Sequence, residues 1–267
     1  MELDQVRGFV LDIDGTLVHR DGDVVHVQPG AVEVLERIRA SGRRFVLFTN
    51  GSHASPAMFA AGLRAAGLPV GDDDVLTPLV SVQLYLRSRR LRGPVLLFAD
   101  DAARAYLVEA GVRMLDGEGD ADAVFVAHAD TVDFVRLEQA ARAVLGGARL
   151  LTASYAPAYA GANGPIFSRG AMTAAAIAKA TGVRPVIVGK PSRAALQAIS
   201  ERLGAPTEHL AVIGDDLGMD IALGRLGGAR TILVRTGISG RVERERIPER
   251  HRPDEIVDGV AELLDRL

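Results

Sequence analysis

Short apolar runs alternate with segments of helical spacing in the first and last parts of the chain. Each run is followed by a polar or glycine-containing turn, and in the segments between them apolar residues recur every three or four positions, as on one face of a helix. We predict strands at 9–11, 45–48, 186–188, 210–213 and 231–234, a hairpin turn at 21–23, and helices at 31–42, 55–67, 77–91, 192–203, 221–226 and 257–267. This alternation is typical of a parallel sheet covered by helices.

The middle of the chain carries its own alternation of strands and helices. We predict strands at 95–98, 123–126 and 150–151, and helices at 101–110 and 131–145. An insert of about a hundred residues is large enough to form a domain. We therefore predict an α/β fold in which a doubly wound, Rossmann-like core of residues 1–80 and 185–267 is interrupted by a second α/β domain of residues 81–184.

The composition excludes several classes of function. A formal net charge of −3 provides no general attraction to nucleic acid or to an anionic membrane. Cysteine is absent, which excludes disulfides, thiolate metal sites and cysteine nucleophiles. The N-terminus has no basic or apolar targeting segment, and no apolar stretch approaches the roughly 18 residues that cross a bilayer. We predict a cytoplasmic protein that has neither nucleic acid nor a membrane as a partner.

Two carboxylates follow the first predicted strand. Asp12 and Asp14 come directly after residues 9–11, in the sequence Asp-Ile-Asp-Gly-Thr. Side chains two positions apart on a strand project to the same side, so these carboxylates should repel each other unless a cation or a shared proton separates them. Gly15 allows the backbone to turn, and the Thr16 hydroxyl can hydrogen-bond the carboxylates or the turn. A strand that simply ends in an Asp turn is the structural alternative.

Polar residues also follow three other predicted strands. They are Thr49-Asn50-Gly51, Gly189-Lys190-Pro191 and the segment from Gly214 to Asp220. Ligands of open parallel sheets bind outside the carboxyl ends of the strands, so we expect all these clusters to meet at one site. Taken singly, each cluster also has an ordinary structural explanation, such as a surface lysine or a turn ahead of a helix.

The carboxylates of this site predict a divalent cation. Asp12, Asp14, Asp215 and Asp220 would place about four negative charges around one point, more than Lys190 alone can balance. Oxygen ligands without histidine suit Mg²⁺, which binds one or two carboxylates, waters and phosphate oxygens. The histidines show no ligand spacing, and we interpret them all as surface or packing residues. They are His19, His26, His53, His128, His209 and His251.

The remaining polar residues suit phosphoryl transfer. The Thr49 hydroxyl and the backbone amides of Asn50 and Gly51 can donate to phosphate oxygens, and Gly51 lets the backbone approach closely. Lys190 adds a positive charge on another side. Phosphate monoesters hydrolyse extremely slowly in water, and enzymes accelerate the reaction by up to about 10²¹-fold. That demand favours a metal, a nucleophile and an acid that act together.

The four clusters, in this order, resemble the motifs of the haloacid dehalogenase (HAD) superfamily. The large insert between Thr49-Asn50-Gly51 and Gly189-Lys190-Pro191 resembles the α/β cap of the subfamily that contains p-nitrophenyl phosphatase-like and phosphoglycolate phosphatase-like enzymes. The resemblance implies that residues 81–184 form such a cap. It implies a Mg²⁺-dependent phosphatase that hydrolyses small phosphate monoesters through an aspartyl-phosphate. Its partner would be a small phosphorylated metabolite, and relatives often form homodimers through the cap.

The resemblance also implies catalytic roles for four residues. Asp12 would be the nucleophile that carries the aspartyl-phosphate. Asp14 would be the general acid and base, which must be protonated when the leaving oxygen departs and ionised when water attacks. Thr49 and Lys190 would hold the phosphoryl group.

The metal site follows from the same resemblance. Mg²⁺ would be bound by Asp12, Asp215 and the backbone carbonyl of Asp14. Direct contact with the metal would also keep Asp12 ionised, as a nucleophile must be. Asp220 would orient Lys190 or a metal-bound water.

The cap departs from the pattern of the subfamily. Many relatives carry Thr-Asn-x-Asp after a cap strand, whereas residues 152–155 are Thr-Ala-Ser-Tyr. Residues 156–167 are predicted to be a loop rich in alanine and glycine, and Arg169 lies where relatives have Pro-Gly-x-Gly-Ala. Arg169 could meet an anionic substrate group or be solvated, and Tyr155 and Tyr159 could line a leaving-group pocket or pack the loop. The physiological substrate is therefore left open.

Other classes of function also remain open at this point. A phosphotransferase or mutase would use the same aspartyl-phosphate chemistry, but it needs a second acceptor hydroxyl. A phosphate-responsive binding module without turnover would also place an Asp pair, a threonine and a lysine at strand ends, but it needs neither so large an insert nor Asp215 and Asp220. A relative with only a structural role is disfavoured by the complete set of acid, metal and lysine residues.

Overall fold

A computed structural model describes residues 3–21, 24–161 and 164–267. The chain divides into two compact units. The core unit comprises Met1–Thr49, Pro56–Leu76 and Lys190–Leu267, and the inserted unit comprises Asn50–Ser55 and Thr77–Gly189. Each unit contains a parallel β-sheet of its own.

Strands and helices alternate along most of the chain. The strands are β1 (Gly8–Leu11), β2 (Val18–Asp21), β3 (Val24–Val27), β4 (Arg44–Phe48), β5 (Val75–Leu76), β6 (Val95–Phe98), β7 (Ala123–Val126), β8 (Arg149–Thr152), β9 (Ala158–Gly161), β10 (Gly164–Phe167), β11 (Val186–Ile187), β12 (Leu210–Gly214), β13 (Arg230–Val234) and β14 (Glu255–Val257). The α-helices are α1 (Ala31–Ala40), α2 (Pro56–Ala65), α3 (Pro78–Ser88), α4 (Asp101–Glu109), α5 (Phe134–Leu145), α6 (Arg169–Thr181), α7 (Arg193–Leu203) and α8 (Ala222–Gly227). A π-helical segment, Leu217–Ile221, precedes α8.

Six parallel strands form the sheet of the core unit, in the order β14-β13-β12-β1-β4-β5. The chain proceeds from β1 through β4 and β5 towards one edge, and from β12 through β13 and β14 towards the other. The strand order therefore reverses between β1 and β12, which is the topological switch point where open α/β sheets bind ligands. Leu11 lies opposite Ile213 there, so the residues that follow the two strands leave the sheet side by side. The predicted doubly wound, Rossmann-like core is confirmed.

The apolar interior of the core unit explains why its strands appear in the sequence as continuous apolar runs. All four residues of β1 are buried, as expected for a parallel strand that is covered on both faces. Helix α1 buries Ala31, Val34, Leu35 and Ile38, and these side chains pack in one cluster with Leu11 of β1. Each fully buried valine, leucine or isoleucine contributes about 1.5–3 kcal/mol, so this face holds the helix against the sheet.

The inserted unit has a second parallel sheet, in the order β11-β8-β7-β6. Leu96, Val124 and Leu150 of three neighbouring strands pack in one cluster with Ile177 of α6. Strands β9 and β10 form a separate antiparallel hairpin. The predicted α/β character of the insert is confirmed. Among the helices that the structure describes, none is long and apolar enough to cross a membrane.

The boundaries between the two units differ from the predicted boundaries, 80/81 and 184/185. The strand predicted at 186–188 belongs to the inserted unit and not to the core, because Val186 of β11 pairs with Leu151 of β8. Asn50–Ser55 also belongs to the inserted unit. An apolar run indicates that a strand forms but not which sheet it joins, since that depends on the neighbours available in the folded chain.

The helix predicted at 257–267 does not form. The residues form β14 and then a 3₁₀ helix at Val260–Arg266. Val257 pairs with Val234 at the edge of the sheet, and Gly259 is extended, with φ −165°. The strand and this extended residue leave seven residues, Val260–Arg266, for the last helix, which is fewer than the roughly 12 that make an α-helix stable by itself.

The predicted hairpin turn at 21–23 and the predicted loop at 156–167 can also be compared with the structure. The hairpin predicted around 21–23 is confirmed by the antiparallel pairing of β2 and β3, although Gly22 and Asp23 lie outside the described residues. The loop predicted at 156–167 contains the β9–β10 hairpin instead, and residues 162–163 likewise lie outside the described part of the chain. Alanine and glycine are poor strand formers, so the composition of this segment concealed its pairing.

Thr16 has a different environment from the predicted one. Its side chain is fully buried, and within the described residues its hydroxyl has no hydrogen-bond partner. It therefore binds neither the carboxylates nor the turn. A buried polar group without a partner costs about 1–3 kcal/mol.

We expect Thr16→Val to raise the free energy of unfolding by about 1 kcal/mol, because a methyl group of similar size replaces an unpaired buried hydroxyl. Urea denaturation of both metal-free proteins measures the difference. Thr231→Val is the matched control: Thr231 is also fully buried, but its hydroxyl donates to Asp254 at 2.9 Å, so the control should lose stability. Destabilisation of the Thr16 variant to the same extent would show that its hydroxyl is hydrogen-bonded.

Candidate active site

Asp12 and Asp215 leave the core sheet as neighbours. Asp12 follows β1 and Asp215 follows β12, and the Asp12 N–H donates to the Ile213 carbonyl at 2.9 Å. The ladder between the two strands therefore fixes the backbone up to the first carboxylate. Asp215 is buried and Asp12 is mostly buried. The structure thus brings together two of the carboxylates that the sequence predicted for one site.

Lys190 joins two carboxylates of this cluster. Its Nζ lies 2.5 Å from Asp12 Oδ1 and 2.7 Å from Asp220 Oδ1. Only 3% of the side chain of Lys190 and 3% of that of Asp220 are exposed. Nζ also lies 5.8 Å from the centre of the Phe48 ring, at the end of β4. So deeply buried a lysine depends on its ion pairs, because an unpaired buried charge is very unfavourable.

Burial and repulsion by neighbouring carboxylates raise the pKa values of Asp12 and Asp215. Burial raises the pKa of Asp12 well above its ordinary range; Lys190 opposes this rise, and Asp220 and Asp215 add to it. Burial and the charge of Asp220 together raise the pKa of Asp215 to about 7. Burial alone would lower the pKa of Lys190, but Asp12 and Asp220 outweigh it and the pKa rises. The lysine is therefore always charged, and the cluster still lacks positive charge.

The cluster fits a divalent cation. Asp12, Asp215 and Asp220 each offer one carboxylate oxygen, and these oxygens lie within 4.8 Å of one another. An all-oxygen donor set suits a hard cation such as Mg²⁺. A cation at this position would favour the ionised carboxylates and so lower the raised pKa values of Asp12 and Asp215.

Hydrogen bonds between its own residues stabilise the turn after β12. Asp216 caps the π-helical segment by accepting from the N–H of Gly218 at 2.6 Å and of Met219 at 3.2 Å. Asp220 Oδ2 accepts from the Asp216 N–H at 3.1 Å. Asp220 thus uses one oxygen for this turn and the other for the lysine of the cluster. Burial, together with Asp220, also raises the pKa of Asp216.

Asp14 does not share the environment of Asp12. Its carboxylate is about half exposed and accepts a hydrogen bond from Nε of Arg20 in β2. The strand ends at Leu11, and Gly15 with φ +86° turns the backbone, so the alternation of side chains along a strand no longer applies. The expectation that both carboxylates repel each other on one face is corrected accordingly. The roles of Asp14 as acid, base and metal ligand stay predictions.

Thr49 and the two residues after it fall in different units. Thr49 is buried at the end of β4, and its N–H donates to the Leu76 carbonyl at 3.2 Å. Asn50 and Gly51 belong to the inserted unit, where Gly189 packs so closely that a Cβ on it would lie 2.5 Å from Asn50 Oδ1. The phosphate-binding roles of Thr49, Asn50 and Gly51 stay predictions.

The loop after β13 makes contacts that the sequence analysis missed. The Ile238 N–H donates to Asp215 Oδ2 at 2.7 Å, and the Ser239 N–H donates to the Asp215 carbonyl at 3.1 Å. The Thr236 hydroxyl donates to the Gly15 carbonyl at 2.5 Å. Polar residues follow this predicted strand as they follow the others, which indicated that the loop lies at the same edge of the sheet but not that its backbone contacts Asp215.

Two family models match separate parts of the chain, and known proteins match nearly all of it. A model described as haloacid dehalogenase-like hydrolase matches residues 9–113, and a model described as HAD-hydrolase-like matches residues 187–263. The ribonucleotide monophosphatase NagD of Escherichia coli (strain K12) is 32% identical over 97% of this chain and 98% of its own length. The chain belongs to the haloacid dehalogenase-like hydrolases. The resemblance noted in the four sequence clusters is thereby confirmed.

Other similar HAD-like proteins are also phosphatases. Dihydroxyacetone phosphatase of Corynebacterium glutamicum (strain R) is 28% identical over 96% of this chain and 90% of that protein. The structure of 4-nitrophenylphosphatase from Thermotoga maritima has a TM-score of 0.87 at 30% identity and covers 98% of each chain. The structure of glycerol phosphate phosphatase from Mycobacterium tuberculosis in complex with magnesium has a TM-score of 0.85 at 25% identity, over 99% of this chain and 78% of that chain. This HAD-like protein is a hydrolase of phosphoric monoester bonds in the NagD and p-nitrophenylphosphatase subfamily.

The inserted unit of this HAD-like hydrolase places Arg169 in an ion pair. Its Nη1 donates to the carboxylate of Asp130, and both side chains are exposed. Nε2 of His128 lies 3.4 Å from Asp130 Oδ1 and 3.8 Å from Asp100 Oδ2, so this histidine joins a group of possible metal ligands that its spacing did not indicate. Arg169 already neutralises Asp130, and Asp100 Oδ1 accepts from the Asp130 N–H at 2.9 Å. The group is thus explained without a metal.

We expect the metal-free HAD-like hydrolase to lose stability as pH rises through 7, because of Asp215. A carboxyl with a pKa raised from 3.8 to about 7 in the folded state contributes its full stability below the lower value and loses it as pH rises through the higher one. Asp215→Asn removes this titration. The variant should therefore be more stable than the wild type at pH 8 by on the order of 2 kcal/mol, with little difference at pH 4.

Urea unfolding of both proteins in EDTA, at the two pH values, measures the effect of Asp215. With excess Mg²⁺ at pH 8, the wild type should be the more stable of the two proteins. The cation stabilises a folded protein that binds it, and the variant lacks the Asp215 carboxylate. An equal gain from the asparagine at pH 4 and pH 8 would attribute the difference to packing and not to charge.

Proposed function

We propose that this protein is a Mg²⁺-dependent phosphatase that hydrolyses small phosphate monoesters through an aspartyl-phosphate on Asp12. The observation that carries the proposal is the buried cluster in which Lys190 binds Asp12 beside Asp215 and Asp220. A lysine beside a carboxylate favours its ionised form, which is the nucleophilic form. The named activities of the relatives support hydrolysis over transfer to a second hydroxyl and over binding without turnover.

The first step forms the covalent intermediate. An oxygen of Asp12 attacks phosphorus, and the bond between phosphorus and the ester oxygen breaks. The leaving oxygen takes a proton from Asp14 and departs as an alcohol. Lys190 and the hydroxyl of Thr49 hold the phosphoryl oxygens and stabilise the charge that develops on them.

The second step releases phosphate. Asp14, which is ionised after the first step, takes a proton from water as the water oxygen attacks phosphorus. The bond between phosphorus and Asp12 then breaks, so inorganic phosphate leaves and the Asp12 carboxylate is restored. Since Asp14 is paired with Arg20 in the structure, we infer that this ion pair opens when Asp14 carries a proton.

Mg²⁺ is the cation we propose for the cluster. Asp12, Asp215 and the backbone carbonyl of Asp14 would hold it, and Asp220 would support the lysine beside it. When bound there, Mg²⁺ supplies positive charge that neutralises the carboxylates and the phosphate oxygens. The magnesium complex of the similar glycerol phosphate phosphatase supports this choice, as do the raised pKa values of Asp12 and Asp215.

A small phosphorylated metabolite is the substrate class we propose. The relatives are named for dihydroxyacetone, ribonucleotide and glycerol phosphate substrates, so the family restricts the phosphoryl group but not the leaving group. The leaving-group roles considered for Tyr155 and Tyr159 stay predictions: Tyr155 is exposed, and the side chain of Tyr159 lies outside the described part of the structure.

We also propose a cytoplasmic location and a homodimer that forms through the inserted unit. The lack of cysteine supports a reducing compartment. Phe134 and Val135, at the start of α5, are 84% and 80% exposed, and large apolar side chains at the surface favour association.

We expect Asp12→Asn to lower the release of phosphate from 4-nitrophenyl phosphate by at least about 10³-fold, because the amide is not a nucleophile. The fold should persist, since the variant still packs at the end of β1. Phosphate release with Mg²⁺ and circular dichroism measure the two effects. Asp73→Asn is the control, because Asp73 is fully exposed and should leave turnover unchanged. Appreciable turnover by folded Asp12→Asn would exclude Asp12 as the nucleophile.

We expect Arg169→Ala to leave turnover of 4-nitrophenyl phosphate within about twofold, because exposed ion pairs contribute little. A panel of phosphate monoesters, with and without a second acidic group, measures whether the variant discriminates among them. Asp130→Asn is the matched control, since it breaks the same ion pair and keeps the arginine. A selective loss on acidic substrates in Arg169→Ala alone would assign the arginine to substrate binding, whereas equal profiles would limit it to pairing with Asp130.

A further inference from the structure

Residues 236–239, here called the 236–239 loop, pack directly against the carboxylate of Asp215. The N–H of Ile238 donates to Asp215 Oδ2 at 2.7 Å, and the N–H of Ser239 donates to the Asp215 carbonyl at 3.1 Å. The loop therefore contacts both the side chain and the backbone of the same residue. A carboxylate has about four acceptor positions, so the bond from Ile238 orients it and leaves acceptor positions for a cation.

Gly237 is required by this close approach. A Cβ atom at that position would lie 1.9 Å from Asp215 Oδ2 and 2.5 Å from its Cγ, far inside van der Waals contact. Any side chain must therefore displace either the carboxylate or the loop. The backbone of the 236–239 loop forms one wall of the position that Asp215 occupies.

The two ends of the loop contact two different turns of the active site. The hydroxyl of Thr236 donates to the carbonyl of Gly15, in the turn after β1, at 2.5 Å. The hydroxyl of Ser239 accepts from the N–H of Leu217, in the turn after β12, at 3.2 Å. One loop of four consecutive residues thus connects the two turns that follow the central strands, although it follows a third strand, β13.

We propose that the 236–239 loop is a positioning element of the metal site, which fixes the Asp215 carboxylate and the Asp14–Gly15 turn in the relative placement that a divalent cation needs. The inference rests on the proposed function, because it assumes that the carboxylate cluster binds Mg²⁺. Mg²⁺ demands nearly ideal octahedral geometry, so small displacements of its ligands weaken binding. Changes to groups that support metal ligands typically cost 10- to 100-fold in metal affinity.

Gly237→Ala tests the proposal through metal binding. We expect the metal-free variant to bind Mn²⁺ at least about tenfold more weakly than the wild type, because the new Cβ displaces Asp215. Electron paramagnetic resonance of free Mn²⁺ during titration measures the dissociation constant without any turnover. Gly62→Ala in α2 is the matched control, since a Cβ there meets no atom within 4 Å and should leave Mn²⁺ binding unchanged.

Kinetics provide a second readout for Gly237→Ala. We expect the Mg²⁺ concentration for half-maximal activity to rise by a similar factor, with the KM for 4-nitrophenyl phosphate at saturating Mg²⁺ within about twofold. A folded variant with the wild-type dissociation constant for Mn²⁺ would overturn the proposal.

Thr236 supplies a pair of variants that decides the question if Gly237→Ala does not fold. Thr236→Val removes the hydrogen bond to Gly15 and should weaken Mn²⁺ binding, whereas Thr236→Ser keeps a hydroxyl and should retain it. Equal Mn²⁺ affinity in both variants would overturn the proposal. The wild type separates the two ideas: if it binds no Mn²⁺, the proposed function fails, and if it binds Mn²⁺ while the loop variants match it, only the role of the loop fails.

Discussion

The buried charge of Lys190 is the constraint on which the site depends. A lysine enclosed by protein must be paired, and its two partners, Asp12 and Asp220, come from turns after two neighbouring strands of the core sheet. The ion pairs can form only when these turns lie side by side, so correct strand order and a correctly charged site are one requirement. A single lysine does not balance three ionised carboxylates, and the remaining negative charge is what makes the cluster suitable for a cation.

The unfavourable free energy of burying these charges is offset by apolar burial in the core sheet. Burial raises the pKa of Asp12 and of Asp215, which means that their ionised forms are disfavoured in the folded protein without a cation. β1 and β12, in contrast, are buried along their whole length and hold the two turns in place. The carboxylate cluster is therefore a locally unfavourable arrangement on a stable scaffold, as is common where function requires specific charges at specific places.

Some features of the fold could be predicted from the sequence and others could not, for identifiable physical reasons. The ends of the strands could be located because buried parallel strands are apolar throughout, so the first polar residues after each apolar run mark where the strand ends. Lys190 lies beside Asp12 and Asp220, as the sequence led us to expect, even though β11, which precedes it, belongs to the inserted sheet. The helix predicted at 257–267 was wrong because pairing with β13 outweighed helical spacing. The contact of Ile238 with Asp215 could not be inferred from residue type, since every residue except proline has a backbone N–H.

Residue type predicts the chemistry of a side chain, but it does not predict which partners the side chain contacts in the folded protein. A carboxylate or a lysine at a strand end indicates its chemistry by its type, and the proximity of Asp12, Asp215 and Asp220 could be predicted for that reason. Whether a cation such as Arg169 is available to a substrate depends on its partner in the folded chain, and the partner, Asp130, lies in a different loop of the inserted unit. An arginine that is already paired attracts an anionic group less than a free one does, because binding must first replace the existing ion pair. The residue type of Arg169 therefore predicts its charge but not whether that charge is available to a ligand, which depends on its pairing with Asp130.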